Sequence, residues 1–251
     1  MKILQVENIG KSFDGRRIIE DINLHIRKGE LVSLLGVSGV GKTTLFNIIA
    51  GVTRPDKGRI LFEGQDITGQ SGSISYMLQK DLLLEHKTII DNVSLPLVIR
   101  GQGKKAAREE ASRHFGHFGI AGSEYKYPRQ LSGGMRQRAA LLRTYLFSDH
   151  FALLDEPFSA LDTITKGEMH RWYLGIMEEI KLSTIFITHD IDEAILLSDR
   201  IYIMTGRPGR INYEIKISEA KPRQRDFLLT DEFLAYKREI IDILDREKAR
   251  Q

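Results

Sequence analysis

Residues 36–43 read GVSGVGKT and directly follow the apolar run LVSLL at 31–35. A stretch with helical character, residues 44–50, comes next. Short runs that are almost wholly apolar are typical of strands buried on both faces of a parallel sheet. A buried strand, a glycine-rich loop and a helix in this order form the phosphate-binding loop pattern, whereas a simple glycine turn would not need all three. The stretch therefore predicts an α/β fold with a phosphate site at the loop.

This loop offers backbone amides, hydroxyls and one cation to a triphosphate. Its glycines allow backbone shapes that point successive N–H groups at phosphate oxygens, and the helix adds the positive end of its dipole. We expect Lys42 at the β- and γ-phosphates, Thr43 at Mg²⁺, and Thr44 near the α- or β-phosphate. The predicted phosphate-binding residues are Gly36, Ser38, Gly39, Gly41, Lys42, Thr43 and Thr44.

Two further apolar strands end in residues suited to phosphate chemistry. The run FALL at 151–154 leads to Asp155 and Glu156, and the run TIFIT at 184–188 leads to His189. Parallel sheets hold ligands at the carboxyl ends of their strands. We therefore expect Asp155 to bind Mg²⁺, Glu156 to polarise the attacking water, and His189 to contact the γ-phosphate. The alternatives are two solvated acids and a solvated or core histidine.

The amino-acid composition limits the classes of partner that we expect for the chain. The 251 residues include no cysteine, which excludes disulfides and thiolate metal sites, and 37 Lys and Arg against 34 Asp and Glu leave a net charge of +3. Such a balance predicts weak long-range attraction to nucleic acid, which is not expected as a partner. The N-terminus lacks a secretory signal, and no apolar stretch reaches the roughly 20 residues that span a bilayer. We expect an intracellular chain whose membrane link comes from a partner.

A third motif, LSGGMRQ at 131–137, resembles the signature sequence of ATP-binding cassette (ABC) proteins, and the resemblance extends from about Ile3 to Ile211. It implies an ATPase that works as a head-to-tail homodimer around two Mg-ATP molecules. Ser132, Gly133 and Gly134 would close over the γ-phosphate of ATP on the other protomer, although a simple helix N-cap is an alternative. Gln79 resembles the switch glutamine that joins Mg²⁺ and the attacking water. Phe13 resembles the aromatic that stacks on adenine, with a core position as the alternative.

The resemblance also implies a domain organisation. The expected fold is a P-loop NTPase core with a mostly parallel sheet, an N-terminal antiparallel β subdomain and an inserted helical subdomain. We assign residues 1–79 and 149–215 to the core, and 80–148 to the helical signature subdomain, which moves when γ-phosphate is engaged. Residues 216–251 form a helical extension, since their apolar residues have near-helical spacing.

Two stretches, MLQKDLLL at 77–84 and GRPGRI at 206–211, are similar to those of importers of nitrate, sulfonates, taurine and thiamine-related pyrimidines. This implies a peripheral subunit at the cytoplasmic face of the membrane. It would drive a separate permease that an extracytoplasmic solute-binding protein serves, and the leucines of 82–84 are either permease contacts or core residues. The alternatives are an ABC ATPase of chromosome or ribosome, which usually has coiled-coil insertions or two cassettes, and a GTP-binding switch, whose Asn-Lys-x-Asp motif is absent.

Overall fold

The computed structural model describes residues 1–221, 223 and 225–249. The chain divides into two units, Met1–Ile74 with Lys181–Gln251, and Ser75–Ile180, which we call the first and the second unit. The strands are β1 (Lys2–Phe13), β2 (Arg16–Arg27), β3 (Leu31–Gly36), β4 (Lys57–Phe62), β5 (Gln65–Asp66), β6 (Ser75–Met77), β7 (Phe151–Asp155), β8 (Ser183–Thr188), β9 (Arg200–Thr205) and β10 (Arg210–Lys216). The helices are α1 (Lys42–Ile49), α2 (Ile89–Val93), α3 (Leu95–Ile99), α4 (Lys104–Ser112), α5 (Gly133–Phe147), α6 (Thr163–Ile180), α7 (Ile191–Leu197) and α8 (Asp231–Ala249).

An antiparallel sheet with the strand order β2-β1-β4-β5 forms the N-terminal part of the first unit. Alternating apolar residues face its buried side, and Leu4 lies opposite Ile26 in the β1–β2 register. β1 continues to Phe13, because register shifts after Val6 let it stay paired with β2. The predicted antiparallel subdomain is thus present.

The central strand of the first unit is β3, whose six residues are all buried. It pairs in parallel with β8 on one side and with β9 on the other, and β10 continues the sheet as an antiparallel neighbour of β9. A strand covered on both faces needs no polar alternation, which explains its apolar sequence. The prediction of an α/β fold with a mostly parallel sheet is confirmed.

The second unit contains the parallel pair β6 and β7 together with α2 to α6. α5 begins at Gly133, because the Ser132 hydroxyl accepts a hydrogen bond from the Met135 amide and caps the helix. α4 ends at Ser112, although helical spacing continues to Phe118. Gly119, at a φ of +65°, lies in the turns that follow.

The C-terminal segment belongs to the first unit, and its predicted amphipathic helix is α8, which buries Phe233 and Ile240 and contacts α7. Before it, the buried guanidinium of Arg223 donates hydrogen bonds to carbonyl oxygens at the end of α7, those of Ile195, Leu196 and Ser198. In the described part of the chain, no helix has the length and apolarity that crossing a membrane requires.

Candidate functional site

The phosphate-binding loop joins the end of β3 to the start of α1 in the first unit. Residues 37–39 at its tip are exposed, as is Thr43, while Thr44 is half-buried. Gly41 has a φ of 106°, and a Cβ there would lie 2.5 Å from Cγ2 of Ile19. Any other residue would therefore be both strained and in collision, so the local backbone shape depends on glycine.

Lys42 lies over its own loop. Its Nζ donates hydrogen bonds to the carbonyl oxygens of Gly36, at 2.7 Å, and of Val37, at 3.0 Å, and the residue is only 7% exposed. A buried ammonium is costly unless hydrogen bonds compensate it, and the loop carbonyls supply them. The cation predicted for the β- and γ-phosphates is thus held at the loop.

The loop packs against a turn whose role the sequence reasoning missed. The Gly209 amide donates to the Ile18 carbonyl oxygen at 2.8 Å, and a Cβ at position 209 would lie 2.0 Å from the carbonyl oxygen of Val40. A Cβ at Gly36 would similarly lie 2.5 Å from the carbonyl oxygen of Met204. Backbone contacts this close require glycine. The two glycines of GRPG at 206–209 are the sequence signal for this turn.

His189 lies at the same sheet edge as the loop. Leu35 of β3 is in register with Thr188 of β8, which brings His189 next to the end of β3. The Asp190 carboxylate caps α7 by accepting a hydrogen bond from the Glu193 amide at 3.1 Å. His189 itself is exposed. The structure therefore brings together the loop and the histidine that were predicted to face the same phosphate.

Phe13 ends β1 and is 46% exposed, so the core alternative is wrong. The Lys11 ammonium lies 5.3 Å from the centre of its ring and forms an ion pair with Asp56 at 2.7 Å. Asp56 also accepts a hydrogen bond from the Ser12 amide at 2.6 Å. The Lys11 and Ser12 hydrogen bonds lower the pKa of Asp56. An ordered strand end with an exposed ring is a suitable platform for a flat base.

The acidic pair lies at the end of β7 in the second unit. Asp155 is 5% exposed and accepts a hydrogen bond from the Tyr76 hydroxyl at 3.4 Å, so it is not a solvated surface acid. Burial and the neighbouring Asp155 raise the pKa of Tyr76. Tyr76 was not predicted as a site residue, because a tyrosine inside a short strand gives no motif.

Glu156 adopts a φ of 47° and accepts a hydrogen bond from the Gln79 side-chain amide at 3.2 Å. The two residues are 77 positions apart in the sequence. The second unit therefore brings together the predicted catalytic carboxylate and the predicted switch glutamine. A φ in the left-handed region is uncommon for glutamate, and such conformations cluster at functional sites.

The signature residues open onto a recess of about 420 Å³ in the second unit. Ser132 and Gly133 are exposed and Gly134 is buried, while Asp162 and Glu168 line other walls. Ser132 does cap α5, as the alternative interpretation held, but a cap alone does not account for the recess. Hydroxyl and helix-start N–H groups at its rim are the donors that a phosphate group needs.

The residues predicted for Mg²⁺ are the Thr43 hydroxyl, the Asp155 carboxylate and the Gln79 amide. All three supply oxygen ligands, which Mg²⁺ prefers. Over the described ranges, no group of three or more His, Cys, Asp or Glu side chains could hold a metal by itself.

Comparisons with known proteins agree with these motifs. The ABC transporter family matches residues 19–159 of the chain. The formylaminopyrimidine import ATP-binding protein ThiZ of Halalkalibacterium halodurans is 48% identical over 191 residues, which cover 76% of this chain and 74% of that protein. The nitrate import ATP-binding protein NrtD of Synechocystis is 36% identical over 251 residues, which cover 96% and 94%.

Two solved structures have the same fold. One is cbiO1 from Clostridium perfringens, part of the ABC transporter complex cbiONQ, with a TM-score of 0.79 and 27% identity over 95% of this chain and 99% of that one. The other is a dimeric ATP-binding cassette in a post-hydrolysis state bound to ADP and Pi, with a TM-score of 0.72 and 26% identity over 86% and 100%. From this similarity and the motifs above, the chain belongs to the ABC transporter family and is an ATP-binding, ATP-hydrolysing cassette.

Proposed function

We propose that the chain is the ATPase subunit of an importer and drives solute uptake through a separate membrane permease. The observation that carries the proposal is the similarity, over nearly the whole chain, to the ATP-binding protein of a nitrate importer, joined by the higher identity to one of a formylaminopyrimidine importer. The substrate class is then a small polar solute of the nitrate, sulfonate, taurine or thiamine-precursor type.

In this proposal the first unit binds the nucleotide. Phe13 stacks on adenine, and the phosphate loop from Gly36 to Thr44 receives the triphosphate with its amides. Lys42 exchanges its contacts with loop carbonyls for contacts with the β- and γ-phosphates, so that one set of hydrogen bonds replaces another. His189 contacts the γ-phosphate from the neighbouring strand end.

Hydrolysis requires a water held against the γ-phosphate. Glu156 orients and polarises this water, and the Gln79 amide, already within hydrogen-bond distance of the carboxylate, helps to place it. Thr43, Asp155 and Gln79 would hold Mg²⁺, which neutralises the charge that develops on the phosphates. The Tyr76 hydrogen bond fixes the Asp155 carboxylate for that role.

The signature recess fits a dimer. Ser132, Gly133 and Gly134 would close over ATP that the partner protomer binds, so that two nucleotides lie in a head-to-tail homodimer. A similar solved structure is a dimeric cassette bound to ADP and Pi, which supports a dimer. Residues 80–148 would act as the moving helical subdomain between core segments 1–79 and 149–215, with 216–251 as an extension of the core.

Within that subdomain the leucines after Gln79 divide between two roles. Leu83 is buried and belongs to the core, whereas Leu82 is 52% exposed. An exposed leucine beside the switch glutamine is suited to a permease contact, because movement of the segment would then reach the partner directly. A permease partner also accounts for a membrane role without a spanning helix in the described residues.

Affinity capture from gently solubilised native membranes tests the proposal, with bound proteins identified by mass spectrometry. We expect a polytopic permease and, after cross-linking, its solute-binding protein. Glu156→Gln with ATP should increase the yield if the ATP-closed dimer is the form that the permease holds. Capture of soluble chromosomal or ribosomal proteins alone would overturn the importer and favour the non-transport ABC ATPase.

A further inference from the structure

The first turn of α5 is joined to the segment after Gln79 by one arginine. Arg136 Nε lies 2.8 Å from Asp81 Oδ2, and its Nη2 lies 3.1 Å from Asp81 Oδ1 and 2.9 Å from Glu85 Oε1. Asp81 is two residues from Gln79, and Arg136 is four residues from Ser132. A two-pronged guanidinium–carboxylate pair fixes orientation as well as distance.

A second arginine of α5 strengthens this junction. Arg143 donates to the carbonyl oxygens of Asp81 and Leu82, the latter at 2.8 Å. Leu82 has a φ of 45°, a conformation that is rare for leucine and needs support from its surroundings. The segment after the switch glutamine is therefore held in a strained shape by side chains from the signature helix.

The Asp81–Arg136 pair is largely shielded from water. The side chains of Arg136 and Asp81 are 26% and 17% exposed. Such a pair is screened by salt less than an exposed pair would be.

We propose that the Asp81–Arg136 pair is a strap that transmits movement of Gln79 to the signature residues, with both members acting as positioning residues. The inference rests on the proposed roles of Gln79 and Ser132. When Gln79 engages the water at one nucleotide, the strap carries the start of α5 with it, so that Ser132 reaches its phosphate only in step with Gln79. The Glu85 carboxylate, which is more exposed than that of Asp81, is a second acceptor for Arg136 during the movement.

The strap predicts a specific kinetic effect. Asp81→Asn and Arg136→Gln should each lower kcat for ATP hydrolysis about tenfold, while KM for ATP changes less than about twofold, because the phosphate loop and Phe13 are untouched. The double variant should be no slower than either single variant, since the two side chains act as one unit. Arg136→Lys, which keeps the charge but loses the fork, should recover part of the rate.

A second ion pair in the same unit provides a matched control. Arg108 contacts Asp91 through Nε at 2.8 Å and Nη2 at 2.7 Å, and these side chains are 37% and 16% exposed. Asp91→Asn and Arg108→Gln should lower the melting temperature as much as the strap variants do and leave kcat unchanged. If kcat falls in the variants of both pairs in parallel with the melting temperature, the Asp81–Arg136 pair only stabilises the fold, and the strap is overturned.

Gln79→Ala and Ser132→Ala, measured alongside, separate the two proposals. Suppose that Gln79→Ala and Ser132→Ala both lower kcat. The strap is then overturned if the strap variants leave kcat unchanged, or if their effects on kcat multiply with those of Gln79→Ala and Ser132→Ala. The roles proposed for Gln79 and Ser132 stand in either case. If neither Gln79→Ala nor Ser132→Ala lowers kcat, the roles proposed for those residues fail, and the strap, which acts through them, fails with them.

Discussion

The chain has two phosphate cradles, and they are built differently. The loop from Gly36 to Thr44 packs on its own backbone, with Lys42 buried against loop carbonyls and Gly41 in a conformation that only glycine accepts. The signature cradle is open: Ser132 and Gly133 are exposed, and the other walls of its recess come from around Asp162, about thirty residues away. A local motif thus predicts the first cradle, although the turn at 206–209 also packs against it, whereas the second depends on tertiary structure and, in our proposal, on a partner protomer.

The largest effect is expected for Glu156→Gln, which tests whether the two cradles close on one nucleotide. Loss of the carboxylate should reduce kcat about 10²–10³-fold with ATP affinity preserved. ATP should then remain bound long enough for a dimer to be seen by light scattering after size-exclusion chromatography. Unchanged turnover would exclude Glu156 as a catalytic residue. A variant that binds ATP and stays monomeric would show that the signature cradle does not close over a nucleotide on a partner protomer.

Lys42→Ala tests the closed cradle alone. Removing the ammonium should weaken ATP binding about 10²-fold, because charge-assisted hydrogen bonds to phosphates are lost, and it leaves the carbonyls of Gly36 and Val37 without this donor. Equilibrium titration with a fluorescent ATP analogue measures the change. Lys57→Ala, which removes an exposed lysine paired with Asp21 in the same unit, is the control and should bind as the unmodified chain does.

A smaller effect is expected for Ser132→Ala, which tests the open cradle. ATP affinity at low protein concentration should not change, but kcat should fall about tenfold, since one donor to the γ-phosphate is lost. Removing an N-cap also costs roughly 1 kcal/mol of stability. Ser132→Asn keeps a capping side chain without the hydroxyl, so full turnover in that variant would reduce Ser132 to a cap.

How far the sequence predicted the molecule depended on the range of each interaction. β3, the phosphate loop and α1 follow from a local pattern, and the place of His189 follows from the rule that parallel strands end at one edge. Roles for Tyr76 and Gly209 were missed, because their contacts with Asp155 and Val40 join positions far apart and leave no periodic signal. The strap was missed for the same reason.

Surface exposure of single residues was equally hard to predict. Phe13 and Leu83 are both large apolar residues close to an aspartate in the sequence, yet Phe13 is exposed and Leu83 is buried. Their burial is decided by which neighbouring segment covers them. The end of α4 at Ser112 likewise depended on turns that helical spacing does not show.

The C-terminal segment limits how the cassette can be shortened. Arg223 serves as the donor for three carbonyl oxygens at the end of α7, the helix that follows His189, and Glu247 near the end of α8 accepts hydrogen bonds from Thr205 and Tyr213. A minimal cassette that stopped after β10 would lose both sets of partners at once. The carbonyl oxygens at the end of α7 and the hydroxyls of Thr205 and Tyr213 would then need water in place of the tail, so the tail is part of the folded first unit.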